Sequence, residues 1–180
     1  EDVAELDKQP IPGRPLAAQA RLAVALLGVT AEIRQADRLL KDLSGGEADV
    51  EVKKARALRA LVDGKAAEAE NQLADLLQAE KDGKDAIALV YLGWTHLFVD
   101  NPTAARKDFE RALKIDPRRA QALYGLGRAQ EAGGDTKAAL ESYGKTMAES
   151  PQHLGAALGI ERLGEATSAS EQRIQLLLQL

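Results

Sequence analysis

From Leu16 onward, apolar residues recur at helical spacing and short polar or glycine-containing breaks interrupt them. Ala69, Leu73 and Leu76 mark one such stretch, Leu89 and Leu92 another, Ala105 and Phe109 a third. The breaks fall at Gly28-Val29-Thr30, Ser44-Gly45-Gly46, Asp63-Gly64, Asp82-Gly83, Asp100-Asn101-Pro102, Asp116-Pro117, Gly133-Gly134-Asp135 and Ser150-Pro151. They predict ten helices of roughly 11 to 15 residues, an ordinary length. Asn101, Asp116 and Ser150 each precede a proline, which predicts a helix N-cap followed by Pro at the first helical position. Ser168-Ala169-Ser170-Glu171 reads as a capping box that opens a last helix. Ahead of Leu16 the pattern differs. Pro10, Pro12 and Pro15 forbid helix and favour an extended backbone, so residues 1–15 read as a Pro-rich linker.

The helices come in pairs, and the pairs repeat. Residues 86–119 and 120–153 align without gaps at an offset of 34. Leu89-x-x-Leu92-Gly93 matches Leu123-x-x-Leu126-Gly127, Ala105 matches Ala139, Phe109 matches Tyr143, and Pro117 matches Pro151. This spacing resembles the tetratricopeptide repeat. Gly93, Gly127, Ala105 and Ala139 then sit where paired helices approach closely, and Phe109 and Tyr143 fill the seam between neighbouring pairs. The resemblance implies an all-α, right-handed α-solenoid over residues 16–180, built of about five helical hairpins. Two are strong, residues 86–119 and 120–153. Three are degenerate: residues 16–50 with Ala36, Leu40 and Leu43, residues 51–85, and residues 154–180 with Ile160, Ser170, Ile174 and Leu177. In residues 51–85, Ala55 and Leu58 mark the first helix, Arg59 stands where Gly is expected, and the turn within the pair reads about two residues short. The apolar run Gln175 to Leu180 either caps the array or meets further repeats.

Composition narrows the class. Of 180 residues, 33 are Ala and 27 are Leu, which favours helix and excludes a β-sandwich or barrel. The formal net charge of -4 lacks the basic field that nucleic-acid binding needs. There are no cysteines, so disulfides and thiolate chemistry are excluded. The uncharged apolar stretch from Leu22 to Thr30 is too short to span a bilayer, so no membrane insertion is expected. The chain begins at Glu1 without an initiator Met, as an excerpt of a longer protein or a processed product would. The compartment stays open, with a lean towards a soluble cytoplasmic protein. The richness in Ala, Leu and Arg is common in high-GC bacterial proteins.

No catalytic constellation, metal site or cofactor loop emerges, so the expectation is a noncatalytic chain without cofactors. His96 falls where a packed, satisfied side chain is expected, and His153 reads as a surface residue at a repeat junction. The run Arg106 to Arg119 interleaves acids and bases, with Asp108 near Arg111 and Lys107 near Glu110, and reads as an ion-paired solvated face. The resemblance implies that the second, fifth, ninth, twelfth and thirteenth places of each repeat face a concave groove. These are Ile87, Val90, Trp94, Leu97 and Phe98, then Gln121, Tyr124, Arg128, Glu131 and Ala132. In the preceding repeat, Lys53, Arg56 and Ala60 take the second, fifth and ninth places. The candidate partner-binding residues are therefore Arg56, Val90, Trp94, Phe98, Tyr124 and Arg128, residue types that anchor interfaces. The competing reading is that the apolar strip is covered from within, by a neighbouring repeat or by the Pro-rich start. The Lys and Asn clamp by which some family members hold C-terminal carboxylates needs Lys at the fifth place and Asn at the ninth. It is missing here. The expected function is a scaffold that recognises a protein segment on its concave face. The alternatives are self-assembly, through the groove or the C-terminal helix, and a regulatory or docking module of a longer multidomain protein.

Overall fold

The structure, a computed structural model, describes residues 50–79 and 85–177, with side chains up to residue 165. The linker 1–15, the hairpin 16–50 apart from its last residue, the breaks at Gly28-Val29-Thr30, Ser44-Gly45-Gly46 and Asp82-Gly83, and the last three residues lie outside the described residues. The described residues form seven helices and no strand: α1 (Val50–Val62), α2 (Ala66–Ala79), α3 (Ala86–Phe98), α4 (Pro102–Ile115), α5 (Ala120–Ala132), α6 (Thr136–Glu149) and α7 (Leu154–Leu177). The fold is an all-α helical repeat of the solenoid class. It divides into two compact units, residues 1–83 and 84–180.

In the first unit α1 and α2 form a hairpin. Its turn uses Gly64 at φ 76°, a left-handed conformation that a residue with a Cβ reaches only at a cost. Leu73, Leu76 and Val52 are buried. The turn holds three residues, the same as in the two following hairpins, so the expected shortening is absent. Val62, Ala66 and Ala79 stand 36 residues before Phe98, Pro102 and Ile115. The irregularity in the period therefore falls after Ala79, not inside the hairpin. This register moves every equivalence by two residues. Ala57, fully buried, takes the place of Gly93, and Leu73 takes that of Phe109. The small residue expected at Arg59 is thus present two residues earlier.

In the second unit α3 pairs with α4, α5 with α6, and α7 packs on α6. Capping explains the starts. Asp85 accepts from the amides of Ile87 and Ala88 at 2.8 and 2.9 Å, Asn101 from Ala104 at 3.1 Å, and Asp135 from Ala138 at 3.1 Å. Pro102 occupies the first turn of α4, as expected. Pro117 and Pro151 do not open helices. Asp116 and Ser150 are C-caps, each proline lies in a two-residue turn, and Arg119 and His153 precede the next helices. A residue before proline is driven to extended backbone, and Asp116 and Ser150 have ψ near 90°, so the helix stops there.

The helix α7 corrects a second expectation. It runs unbroken from Leu154 to Leu177, where a hairpin with a break at Ser168 was expected. No Gly or Pro occurs between Glu165 and Leu177, and serine is tolerated inside a helix. Without a break ahead of it, Ser-x-x-Glu is not a start signal.

Two buried aromatic side chains hold the pairs together. Phe109 of α4 is fully buried beneath Gly93 of α3 and Gly125 of α5. Tyr143 of α6 is fully buried between Gly127 of α5 and Gly159 of α7. A β-carbon at Gly93 would fall 2.7 Å from Phe109 Cζ, and one at Gly159 would fall 2.6 Å from Tyr143 Cε2. Each ring therefore occupies the volume that two side chains would otherwise fill.

Candidate functional site

The first helices of successive pairs, α3 and α5, contribute a continuous row of rings. Trp94 lies edge-on to Phe109, centroids 5.5 Å apart at 74°. Tyr124, one repeat on, lies 5.7 Å from Trp94, 5.8 Å from Tyr143 and 4.4 Å from His153. Such spacings are those at which aromatic pairs attract. Trp94 and Tyr124 are half-buried. Gly155 of α7 leaves room for Tyr124, whose hydroxyl would lie 2.7 Å from a β-carbon there.

The expected site residues divide. Val90 is only 4% exposed and belongs to the core, so it offers no surface. Phe98, at the end of α3, is 59% exposed. Trp94, Tyr124 and Arg128 come together: Arg128 Nη1 donates to Tyr124 Oη at 3.4 Å. Arg56 lies in the other unit and is half-buried on α1. The 36-residue register aligns it with Leu92, not with Val90. The fifth place of that hairpin is held by Lys54, which is buried and paired with Glu51. Of the strip, Val90 is buried, and Trp94 packs in part on Tyr124 of the next pair, as the competing expectation has it for a neighbouring repeat.

Three further residues take part: Glu131, which the repeat places on the groove, and His153 and Arg162, which are not among the candidate residues. His153 is not a plain surface residue. Its Nδ1 accepts from the Ala156 amide at 3.2 Å and so caps α7, while its ring packs on Tyr124. Glu131 binds three helices together. One of its carboxylate oxygens accepts from Tyr143 Oη at 2.6 Å, the other from Arg162 of α7, and Arg128 Nε stands 4.0 Å away. The Arg162 bond holds the Glu131 carboxyl below its usual range, with the Tyr143 hydrogen bond adding to it against partial burial. Burial, and then the bond to Glu131, push the Tyr143 phenol well above its usual range. Arg162 could have been found in the sequence, because it lies one 34-residue period after Arg128.

Within each pair a polar bridge joins the two helices at equivalent places. His96 Nδ1 lies 2.7 Å from Asp108 Oδ2, and Arg111 also bonds Asp108 at 3.2 Å. In the next pair Ser142 Oγ donates to Gln130 Oε1 at 2.6 Å. His96 is thus a packed, satisfied side chain. On the outer face of α4, Glu110 pairs with Arg106 at 2.8 Å rather than with Lys107. Among the described residues no cluster of metal-ligating side chains occurs, and no helix is long and apolar enough to cross a membrane.

Paired helices around glycine-seated aromatics, repeated at 34 residues, define a helical-repeat protein. The family model for the tetratricopeptide repeat matches residues 92–153, so this stretch belongs to the tetratricopeptide-repeat family. No curated protein matches the chain. Among solved structures, MamA is similar at a TM-score of 0.65 with 21% identity, over 91% of each chain. The second tetratricopeptide domain of human RPAP3, in complex with the HSP70 peptide SGPTIEEVD, is similar at 0.58 with 20% identity, over 62% of this chain and 92% of that one. The first such domain of Spaghetti (RPAP3), bound to the HSP90 peptide SRMEEVD, is similar at 0.63 with 16% identity, over 66% and 93%. At these identities the likeness is one of fold.

Proposed function

We propose that this protein is a noncatalytic scaffold that recognises a protein segment along the face formed by α3 and α5. The observation that carries the reading is the half-buried ring row of Trp94 and Tyr124, flanked by the exposed Phe98. A half-buried tryptophan, with an exposed phenylalanine one helical turn further along α3, gives this face aromatic surface of the kind that partners cover. The RPAP3 domains, which share the fold, are bound to peptides in their solved structures. A scaffold role also needs no nucleophile or metal.

The test is a pull-down from native lysate with mass-spectrometric identification, run with the parent and with a Trp94→Ala/Phe98→Ala variant whose fold is verified by circular dichroism. A partner held by the parent and lost by the variant supports the reading. A partner held equally by both moves recognition to another surface. Concentration-dependent mass in light scattering, with no other protein retained, replaces the reading by self-assembly.

A further inference from the structure

We propose that the guanidiniums of Arg128 and Arg162 form a seat for an acidic side chain of the bound segment, beside the rings of Tyr124 and Trp94. This inference rests on the recognition reading above and assigns its ligand a chemistry. The two arginines are 34 residues apart and occupy equivalent places on α5 and α7. Between them stands a single carboxylate, Glu131, which Arg162 bonds directly and which Arg128 approaches at 4.0 Å. Glu131 is further occupied by the Tyr143 hydroxyl at 2.6 Å. Two cations therefore share one anion that already serves a third donor.

The surplus lies at the surface. The side chains of Arg128 and Arg162 are 49% and 58% exposed, whereas that of Glu131 is 18% exposed. Each guanidinium carries five N–H donors in a rigid fork that matches a carboxylate. Arg128 spends one of these on Tyr124 Oη, and Arg162 spends one on Glu131. The remaining donors are the ones an incoming carboxylate would meet. Glu161 and Glu165, the exposed acids of α7, bond neither guanidinium among the described residues. The other helix bridges differ: Gln130 and Ser142 are both buried and uncharged, and at Asp108 a single exposed arginine, Arg111, shares the carboxylate with His96 instead of with a second arginine. Leu158, exposed one turn before Arg162, adds an apolar neighbour. The geometry thus suits a segment with an Asp or Glu next to a large apolar residue.

The experiment is a positional-scanning library of acetylated, C-terminally amidated peptides bound to the full chain. The expected result is enrichment of Asp and Glu at one position, beside a position that takes large apolar residues. On the best peptide, replacing that acid by its amide should weaken binding by about tenfold or more, the range of a charge-assisted bidentate pair. Arg162→Gln should bind the acidic peptide and its amide alike. Arg162→Lys, which keeps the charge and the contact with Glu131, should fall between the two if Gln disturbs the fold. Peptides bound with no preference between acid and amide overturn the seat and leave recognition on this face standing. A requirement for a free C-terminus in place of an acidic side chain overturns it too, as does enrichment of basic residues. A folded parent that binds no peptide overturns both this seat and the reading it rests on.

Discussion

Phe109 and Tyr143 fill equivalent seats one repeat apart, each between two glycines of the flanking first helices, yet they prepare different surfaces. Phe109 ends in a bare ring edge, and Trp94 packs against it at 5.5 Å. Tyr143 ends in a hydroxyl that reaches Glu131 at 2.6 Å, and Glu131 in turn holds Arg162. The polar bridges follow the same division. His96 with Asp108 in the first pair becomes Gln130 with Ser142 in the second. One backbone plan thus supports an aromatic surface at α3 and a charged one at α5 and α7. The buried seam, through a single oxygen atom, sets the chemistry of the face above it.

The largest effects should come from emptying the seats. Phe109→Ala and Tyr143→Ala should each cost about 3–5 kcal/mol of unfolding free energy, measured in urea, because neither glycine can fill the void. Unequal costs well outside that range would show that the seats are not equivalent. Tyr143→Phe keeps the ring and removes only the oxygen. It should cost about 1–3 kcal/mol, the loss of a hydrogen bond to an ionised acceptor. Filling a seat from the other side is the next test. Gly125→Ala drives a β-carbon into Phe109 and should cost about 1–3 kcal/mol. Gly144→Ala, where a β-carbon meets nothing, should be neutral or slightly stabilising by up to about 1 kcal/mol.

Converting one polar bridge into the other sharpens the comparison at smaller scale. Asp108→Ala should cost about 1–3 kcal/mol, since it leaves the half-buried His96 without that carboxylate. The double change His96→Gln/Asp108→Ser, which copies the second pair, should recover most of that loss in a double-mutant cycle. A smaller effect still distinguishes the charged surface by pH. The folded-state carboxyl of Glu131 is held below the ordinary value of 4.5, so its contribution is complete above that value and fades as pH falls through the lower folded one. The stability difference between the parent and Glu131→Gln should therefore be steady near neutrality and shrink below about pH 4.5. A difference that grew on acidification would contradict the assignment.

Much of the fold was legible because two repeats agree in phase and each punctuating residue has one steric meaning. Gly93, Gly127, Phe109 and Tyr143 stand where the 34-residue spacing puts them, and Asn101-Pro102 opens a helix as expected. The misreadings share a cause. The 51–85 hairpin lacks aromatic and proline markers, so its register slipped by two and carried Arg56 to the wrong place. Ala57 and Leu73 do the work of glycine and aromatic there, but alanine and leucine are too common in this chain to stand out. Asp116-Pro117 and Ser150-Pro151 look like caps in one dimension, and only the turn that follows shows them to be stops. The face itself was partly legible. Trp94, Tyr124 and Arg128 do meet, while the burial of Val90 and the reach of Arg162 across to Glu131 depend on packing between helices, which periodicity does not encode.

Trp94 is the single tryptophan of the chain, and it sits within the ring row on which the proposed recognition depends. The most direct measurement is its fluorescence during titration with the best peptide from the library, alongside affinity from calorimetry. A saturable shift in Trp94 emission, with the same Kd as the heat of binding, is the predicted result. Binding by calorimetry with unchanged Trp94 emission would contradict the account and place recognition elsewhere on the molecule.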